Sequence, residues 1–172
     1  MRIAGIAAAL VVALAFQTTL AHLLSGTRVS VDLVLVLVVY TSLLLGPTAG
    51  LLIGSAAGLA QDALSGGVIG VGGFAKSLLG FAVGVLGTRF IVANALPRFV
   101  VFFVGSLAHG VVFFGLYWLI DPPGIGWPYT EALLQAAMNG VIGVSAFVLA
   151  ERGPEMISRR RARRAYLGRR VR

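Results

Sequence analysis

The chain has 172 residues, of which 58% are apolar and only 12% are charged, and its mean hydropathy is +0.95. A soluble domain averages roughly half apolar and about a quarter charged residues, so this composition excludes a soluble globular protein and a disordered one. The net charge is +8, and most of the basic excess follows residue 150, where nine Arg accompany two Glu. A membrane body with a basic tail fits this distribution. A nucleic-acid-binding surface does not fit, because no folded basic domain carries the charge.

Six apolar segments are candidates for membrane-spanning helices, each of which needs about 20 mostly apolar residues. In chain order they are Ile3–Leu24, Val31–Leu45, Ala49–Leu64, Val68–Val92, Phe99–Ile120 and Glu131–Ala150. Gly, Pro and Ser residues separate them, as is typical of turns. At Gly46-Pro47 the two short segments could instead form one kinked pair. We predict an all-α integral membrane protein, a six-transmembrane-helix bundle over residues 1–150, with a basic cytoplasmic tail over 151–172.

The distribution of Lys and Arg in short loops predicts the orientation. With the N-terminus inside, Arg2, Arg89, Arg98 and the tail are cytoplasmic, and Arg28 alone lies outside. We therefore expect a multi-pass membrane protein with both termini cytoplasmic. A cleaved signal peptide is the alternative for residues 1–24, but Ala21-His22-Leu23 is a poor cleavage site.

Glycines recur at four-residue spacing along two neighbouring segments. One series is Gly46, Gly50, Gly54, Gly58 and then Asp62; the other is Gly72, Lys76, Gly80, Gly84 and then Thr88. Residues four apart share a helix face, and small residues allow close helix packing in lipid. We predict a tightly packed hairpin. Counting equal depth from the turn pairs Asp62 with Lys76, Gly58 with Gly80 and Gly54 with Gly84.

Charged residues inside a membrane usually face the bundle interior and find a partner. Asp32 opens the second segment, Asp62 closes the third, and Lys76 lies deeper in the fourth. We expect these three residues to form a polar group in the outer half of the membrane. Its role is either a ligand or partner pocket or a salt bridge that fixes packing, and the sequence leaves both open.

The last two segments carry a second polar pair. The same depth count brings His109 near Asn139 at the membrane centre. A single interhelical hydrogen bond is the favoured interpretation, because a proton relay would want further carboxylates at this depth.

The basic tail contains a cluster of arginines at Arg159, Arg160, Arg161, Arg163 and Arg164. Such clusters bind anionic lipid headgroups at about 1 kcal/mol per charge. The alternative is that they only enforce orientation.

Signatures of catalysis and of cofactor binding are missing from the sequence. The chain has no Cys, which excludes thiolate metal sites and cysteine catalysis. Its two His lie on different segments, and no Gly directly precedes Lys-Ser or Lys-Thr, as a phosphate-binding loop requires. We expect neither an enzyme nor a bound cofactor or metal.

The stretch from Asp32 to Phe81 resembles the MreD family of bacterial rod-shape-determining membrane proteins. The residues that carry the resemblance are Val31-Asp32-Leu33-Val34-Leu35, Gly46-Pro47-Thr48-Ala49-Gly50, Gly58-Leu59-Ala60-Gln61-Asp62-Ala63-Leu64-Ser65-Gly66-Gly67, Ile69-Gly70 and Phe74-Ala75-Lys76-Ser77-Leu78-Leu79-Gly80-Phe81. The chain departs from the family pattern at Val31, where proline is common, at Ala63 within the turn motif, and at Val71 after Gly70.

The resemblance implies a non-enzymatic scaffold of the cell-elongation machinery, located in the bacterial inner membrane. Such proteins bind MreC, a single-span membrane protein, and help to couple the MreB cytoskeleton to the synthase pair that makes lateral peptidoglycan. The family is also similar to the six-helix substrate-binding subunits of energy-coupling-factor vitamin transporters, which supplies the alternative function. The short external loops favour the scaffold.

Overall fold

The computed structural model describes residues 2–23, 30–90, 94–120 and 128–169, and it describes only the backbone of residues 2, 3, 22 and 152–169. These residues form six α-helices and no strand. The helices are α1 (Arg2–Leu23), α2 (Leu33–Leu45), α3 (Pro47–Ser65), α4 (Val71–Arg89), α5 (Ala95–Ile120) and α6 (Tyr129–Arg169). The predicted all-α membrane architecture is confirmed.

Four stretches of these helices are long and apolar enough to cross a membrane. They are Ala4–Ala21, Val71–Arg89, Ala95–Ile120 and Tyr129–Glu151. By contrast, α2 has 13 residues, which at about 1.5 Å per residue cover about 20 Å of a hydrocarbon core about 30 Å thick. α2 therefore cannot cross the membrane alone.

The sharp reversal between α2 and α3 occurs at a single residue. Gly46 has a φ of 88°, a left-handed conformation that side chains other than hydrogen rarely allow, and Pro47 follows at the first position of α3. Gly46 therefore separates two antiparallel helices, which excludes one kinked helix at this point.

α2 is the central helix of the bundle. Its side chains take part in two apolar clusters, one of which joins α2 to α4, α5 and α6 through Leu35, Val39, Leu79, Phe102 and Phe147. The other joins α2 to α3 and α1 around Val34, Val38 and Ala57. Because α2 is buried on nearly every side, its position depends on all of its neighbours.

The α3–α4 hairpin is as close as the glycine spacing predicts, but its register differs from the prediction. Gly58 lies against Gly72, so that a Cβ added at Gly58 would come within 2.5 Å of the Gly72 carbonyl oxygen. Gly50 similarly lies against Gly80, whose carbonyl carbon is 2.6 Å from an ideal Cβ. The true contacts are shifted along α4 by about two helical turns.

The shift has a simple physical cause. The predicted pairs centre the reversal on residue 69, midway between 62 and 76, whereas α3 already ends at Ser65, where Gly66 caps it in the left-handed conformation. Residues 66–70 connect the two helices outside helical geometry. They return the chain below the end of α3 before α4 begins.

α6 continues without a break across the predicted boundary between residues 150 and 151. It has 41 residues, which correspond to a length of about 62 Å. The helix is therefore much longer than the membrane is thick, and its basic end lies beyond the candidate span.

Candidate functional site

A buried ion pair joins α2 and α4. The Lys76 ammonium nitrogen lies 2.9 Å from Oδ2 of Asp32, and both side chains are almost fully buried. The same nitrogen lies 3.3 Å from Nε2 of His109 on α5. Because an ammonium only donates hydrogen bonds, Nε2 of His109 is the acceptor in this contact.

Asp32 also holds the first turn of α2. Its Oδ1 atom accepts a hydrogen bond of 2.8 Å from the backbone N–H of Leu35, as expected of an N-cap residue. The Asp32 backbone N–H in turn donates to Oδ1 of Asn139 on α6, at 3.0 Å. One carboxylate thus serves both as cap of α2 and as counter-ion of Lys76.

The extended residues just before α2 are held from a third side by α1. The Gln17 side chain donates to the carbonyl of Val31 at 2.6 Å and accepts from the backbone N–H of Leu33 at 2.8 Å. Backbone groups without water must be satisfied by protein, and irregular backbone at membrane depth is tolerated only under that condition. Side chains from α1 and α6 meet that requirement here.

We call Asp32, Lys76, His109, Asn139 and Gln17 together the polar centre. It lies deep in the membrane: His109 is about 21 Å along α5 from Ala95 and about 16 Å from Ile120. Asn139 likewise is about 15 Å along α6 from Tyr129. α2 thus begins inside the span and not at its outer end, at a depth that agrees with a polar group in the outer half of the membrane.

Asp62 is not the partner of Lys76, contrary to the prediction. Its Oδ2 atom accepts hydrogen bonds from the backbone N–H groups of Gly70, Gly72 and Gly73, at 2.9, 3.0 and 3.2 Å. These donors are free groups at the N-terminus of α4 and favour a carboxylate. The shifted register brings Asp62 to this helix end and leaves Lys76 beside Asp32.

Asn139 and His109 are both buried, but the predicted hydrogen bond between them is wrong. The Asn139 amide donates to the hydroxyl of Ser106 at 2.8 Å, about one turn along α5 from His109. His109 instead contacts Lys76 and stacks on Phe113 at 5.7 Å between ring centroids. The depth count thus misses the contact by one turn.

The polar centre is balanced in charge. The Lys76 ammonium contacts the carboxylate of Asp32 and the imidazole of His109, and the described contacts satisfy both oxygens of Asp32. The two carboxamides bind the backbone of residues 31–33. Removing one charged partner from such a buried pair leaves an uncompensated charge and is strongly destabilising. The arrangement therefore links α2 to α1, α4 and α6, and it fixes where α2 begins.

A second polar contact, which the sequence argument missed, closes the α5–α6 hairpin at its other end. The Arg98 guanidinium binds both carboxylate oxygens of Glu151, with 2.8 Å between Nη1 and Oε2, and lies 4.4 Å above the Phe147 ring. The sequence argument uses Arg98 only as part of the cytoplasmic charge excess. A pairing signal was present, because Glu151 is one of the few carboxylates in the sequence.

Gln17 and Ser106 are also absent from the predicted set. Gln17 is a carboxamide in an otherwise largely apolar segment, which is a signal of an interhelical contact. Ser106 lies three positions before His109 and gives no such signal. The predicted lipid-binding arginines lie in α6 beyond Glu151, and their side chains are outside the described residues.

These features define a class: a multi-pass all-α membrane protein whose central half-length helix begins at a buried ion pair. The chain belongs to the MreD family, because the family model described as rod shape-determining protein MreD matches residues 2–125. Neither a curated relative nor a solved structure matches the chain. Membership of this family supports a role in rod shape determination.

Proposed function

We propose that this protein is a non-enzymatic scaffold of the bacterial cell-elongation complex. It binds an MreC-like single-span protein and helps to couple an MreB-like cytoskeleton to the synthase pair of lateral peptidoglycan synthesis. It lies in the cytoplasmic membrane with both termini in the cytoplasm. The observation that carries the proposal is the family match over residues 2–125, which covers the complete helices α1 to α5.

The geometry of the polar centre supports a scaffold. The hydrogen bonds of the polar centre lie within the protein. Lys76 binds Asp32, and both Asp32 and Asn139 bind backbone groups at the start of α2. Buried polar groups that are satisfied in this way fix helix positions. A rigid bundle with fixed outer surfaces is what a partner helix needs for a specific contact.

Purification from native membranes in mild detergent tests the proposal. A tagged chain should recover a single-span protein with a coiled-coil and an external domain. Recovery of a pair of ATPases in its place would identify a transporter subunit and overturn the proposal.

A matched pair of variants makes this experiment specific. Gly54→Leu places a side chain against the α4 backbone, whereas Ala56 on the same helix is exposed. We expect Gly54→Leu to lose the partner and rod-shape complementation, and Ala56→Leu to retain both. If both variants bind the partner alike, the packed hairpin is not part of the scaffold.

Cysteine labelling tests the orientation, because the natural sequence has no Cys. Positions 66 and 124 should react with an impermeant reagent from outside, and positions 97 and 172 only after permeabilisation. Of these, residues 124 and 172 lie outside the described residues. An externally reactive C-terminus would contradict the proposed orientation.

A further inference from the structure

α1 is attached to the bundle in a different way from the other helices. None of the residues Ala4–Ala21 is buried inside the protein, and the helix contacts the bundle mainly through α2. Its apolar contact consists of Leu10, Ala13 and Leu14, which pack partly buried against the cluster around Val34 and Val38. Sparse burial of this kind marks an element of low local stability.

One side chain supplies the described polar attachment of α1 to α2. The Gln17 carboxamide donates to Val31 and accepts from Leu33, so its oxygen and its nitrogen both bind backbone. The neighbouring Thr18 and Thr19 bind only the carbonyl of Ala15 within their own helix. The attachment of α1 therefore depends on Gln17 far more than on any residue beside it.

The two backbone groups that Gln17 binds flank Asp32. The same amide therefore steadies the unwound residues that lead into α2 and the side chain that neutralises Lys76. If α1 moved away, Val31 and Leu33 would each lose a hydrogen bond at membrane depth, where water does not replace it. The position of α1 and the geometry at the start of α2 are thus linked through a single side chain.

We propose that α1 is a releasable helix and that Gln17 is its latch. With the latch closed, α1 covers Val34 and Val38 of α2 and holds the segment before α2 in place. With the latch open, α1 separates from a core of α2–α6 that remains assembled through its own contacts. The glycine contacts between α3 and α4 and the Arg98–Glu151 ion pair do not involve α1 and stay intact in either state.

Distance measurements between spin labels test the latch. Because the chain has no Cys, labels can be placed through Val12→Cys on α1 and Leu86→Cys on α4, both at exposed positions. A reference pair uses Leu86→Cys with Val104→Cys on α5, which is also exposed. Double electron–electron resonance in lipid nanodiscs then reports α1 and the core separately.

Gln17→Met is the decisive variant, because it keeps the size of the side chain and removes both hydrogen bonds. Two membrane hydrogen bonds of average strength shift an equilibrium by roughly tenfold. We expect the Val12–Leu86 pair to gain a longer distance whose population is about tenfold larger than in the parent. The Leu86–Val104 distance should not change.

Thr18→Val is the matched control, since Thr18 bonds only within α1, and it should behave as the parent does. Gln17→Asn keeps an amide that is too short to reach both backbone groups, so it should give an intermediate population and serves if Gln17→Met fails to accumulate. The proposal is overturned if the Gln17 variants leave the Val12–Leu86 distance unchanged. It is also overturned if both label pairs broaden together, because the whole bundle would then be loosening.

Discussion

The α3–α4 hairpin and the α5–α6 hairpin both pack through glycines, yet the atoms opposite those glycines differ. In α3–α4 they are backbone: the Lys76 carbonyl carbon lies 2.7 Å from an ideal Cβ at Gly54, and the Pro47 Cα lies 2.5 Å from one at Gly84. In α5–α6 they are aromatic rings, with Phe99 opposite Gly140 and Phe102 opposite Gly143.

The comparison separates two uses of the same residue. A glycine opposite backbone allows two helix axes to approach, and nothing can move aside if a side chain is added there. A glycine opposite a ring makes room for that ring, which can change rotamer if it has free space. The tolerance of a glycine to substitution is therefore decided by its neighbour.

The largest expected effect lies at the Asp32–Lys76 ion pair, which joins the start of α2 to the α3–α4 hairpin. Lys76→Met leaves Asp32 charged and buried, and Asp32→Asn leaves Lys76 in the same condition, so each should cost about 3–5 kcal/mol of unfolding free energy. The double variant should be much milder than the sum of the two. Unfolding in mixed micelles measures all three values.

A second cycle on the same background distinguishes the observed pair from the predicted one. Asp62 binds the start of α4 and not Lys76, so Asp62→Asn and Lys76→Met should add within experimental error. Strong coupling between positions 62 and 76, together with additivity between 32 and 76, would contradict the structure.

The next effect tests the backbone contact of the α3–α4 hairpin. Gly54→Leu and Gly84→Leu should each destabilise the bundle by an amount at or above the upper end of the usual overpacking cost of about 1–3 kcal/mol. The helices must separate, because no side chain can yield. Membrane accumulation and unfolding in micelles report the change. Normal stability in both variants would show that close packing is not required.

A smaller effect is expected at the cap of α4. Asp62→Ala removes the acceptor of three backbone N–H groups, and loss of a cap typically costs about 0.5–2 kcal/mol. Asp62→Asn retains an acceptor oxygen and should recover most of the loss. Equal destabilisation by the two variants would mean that the negative charge, rather than the hydrogen bonds, supports the helix end.

The smallest effects belong to glycines of the α5–α6 hairpin. Gly140→Ala places a methyl group against the Phe99 ring, which is partly exposed and can move, so we expect a loss of unfolding free energy below about 1 kcal/mol. Gly143→Ala places one against the fully buried Phe102 and should cost more. Gly115 has nothing within 4 Å. Gly115→Ala should therefore be neutral or stabilising by up to about 1 kcal/mol. Thermal unfolding of the three variants gives the order.

Part of the candidate site could be predicted from the chain because charge in a membrane demands compensation. Asp32, Lys76, His109 and Asn139 attract attention as polar residues in apolar segments, and the structure brings all four into one centre. Gln17 is missing from the predicted site because its partners are backbone groups of Val31 and Leu33. Backbone groups are present at every position, so the sequence gives no sign of which ones remain unpaired.

The sequence by itself determined the membrane class, the six helices and the face of α3 that packs on α4, since composition and four-residue periodicity act within one helix. Only the tertiary structure decided the register of that hairpin and the partner of Lys76. Both depend on where α3 ends, and its left-handed cap at Gly66 reverses the chain before residue 69, on which the predicted pairs are centred. That early reversal placed Asp62 at the start of α4 and left Asp32, at the start of a half-length helix, to neutralise Lys76.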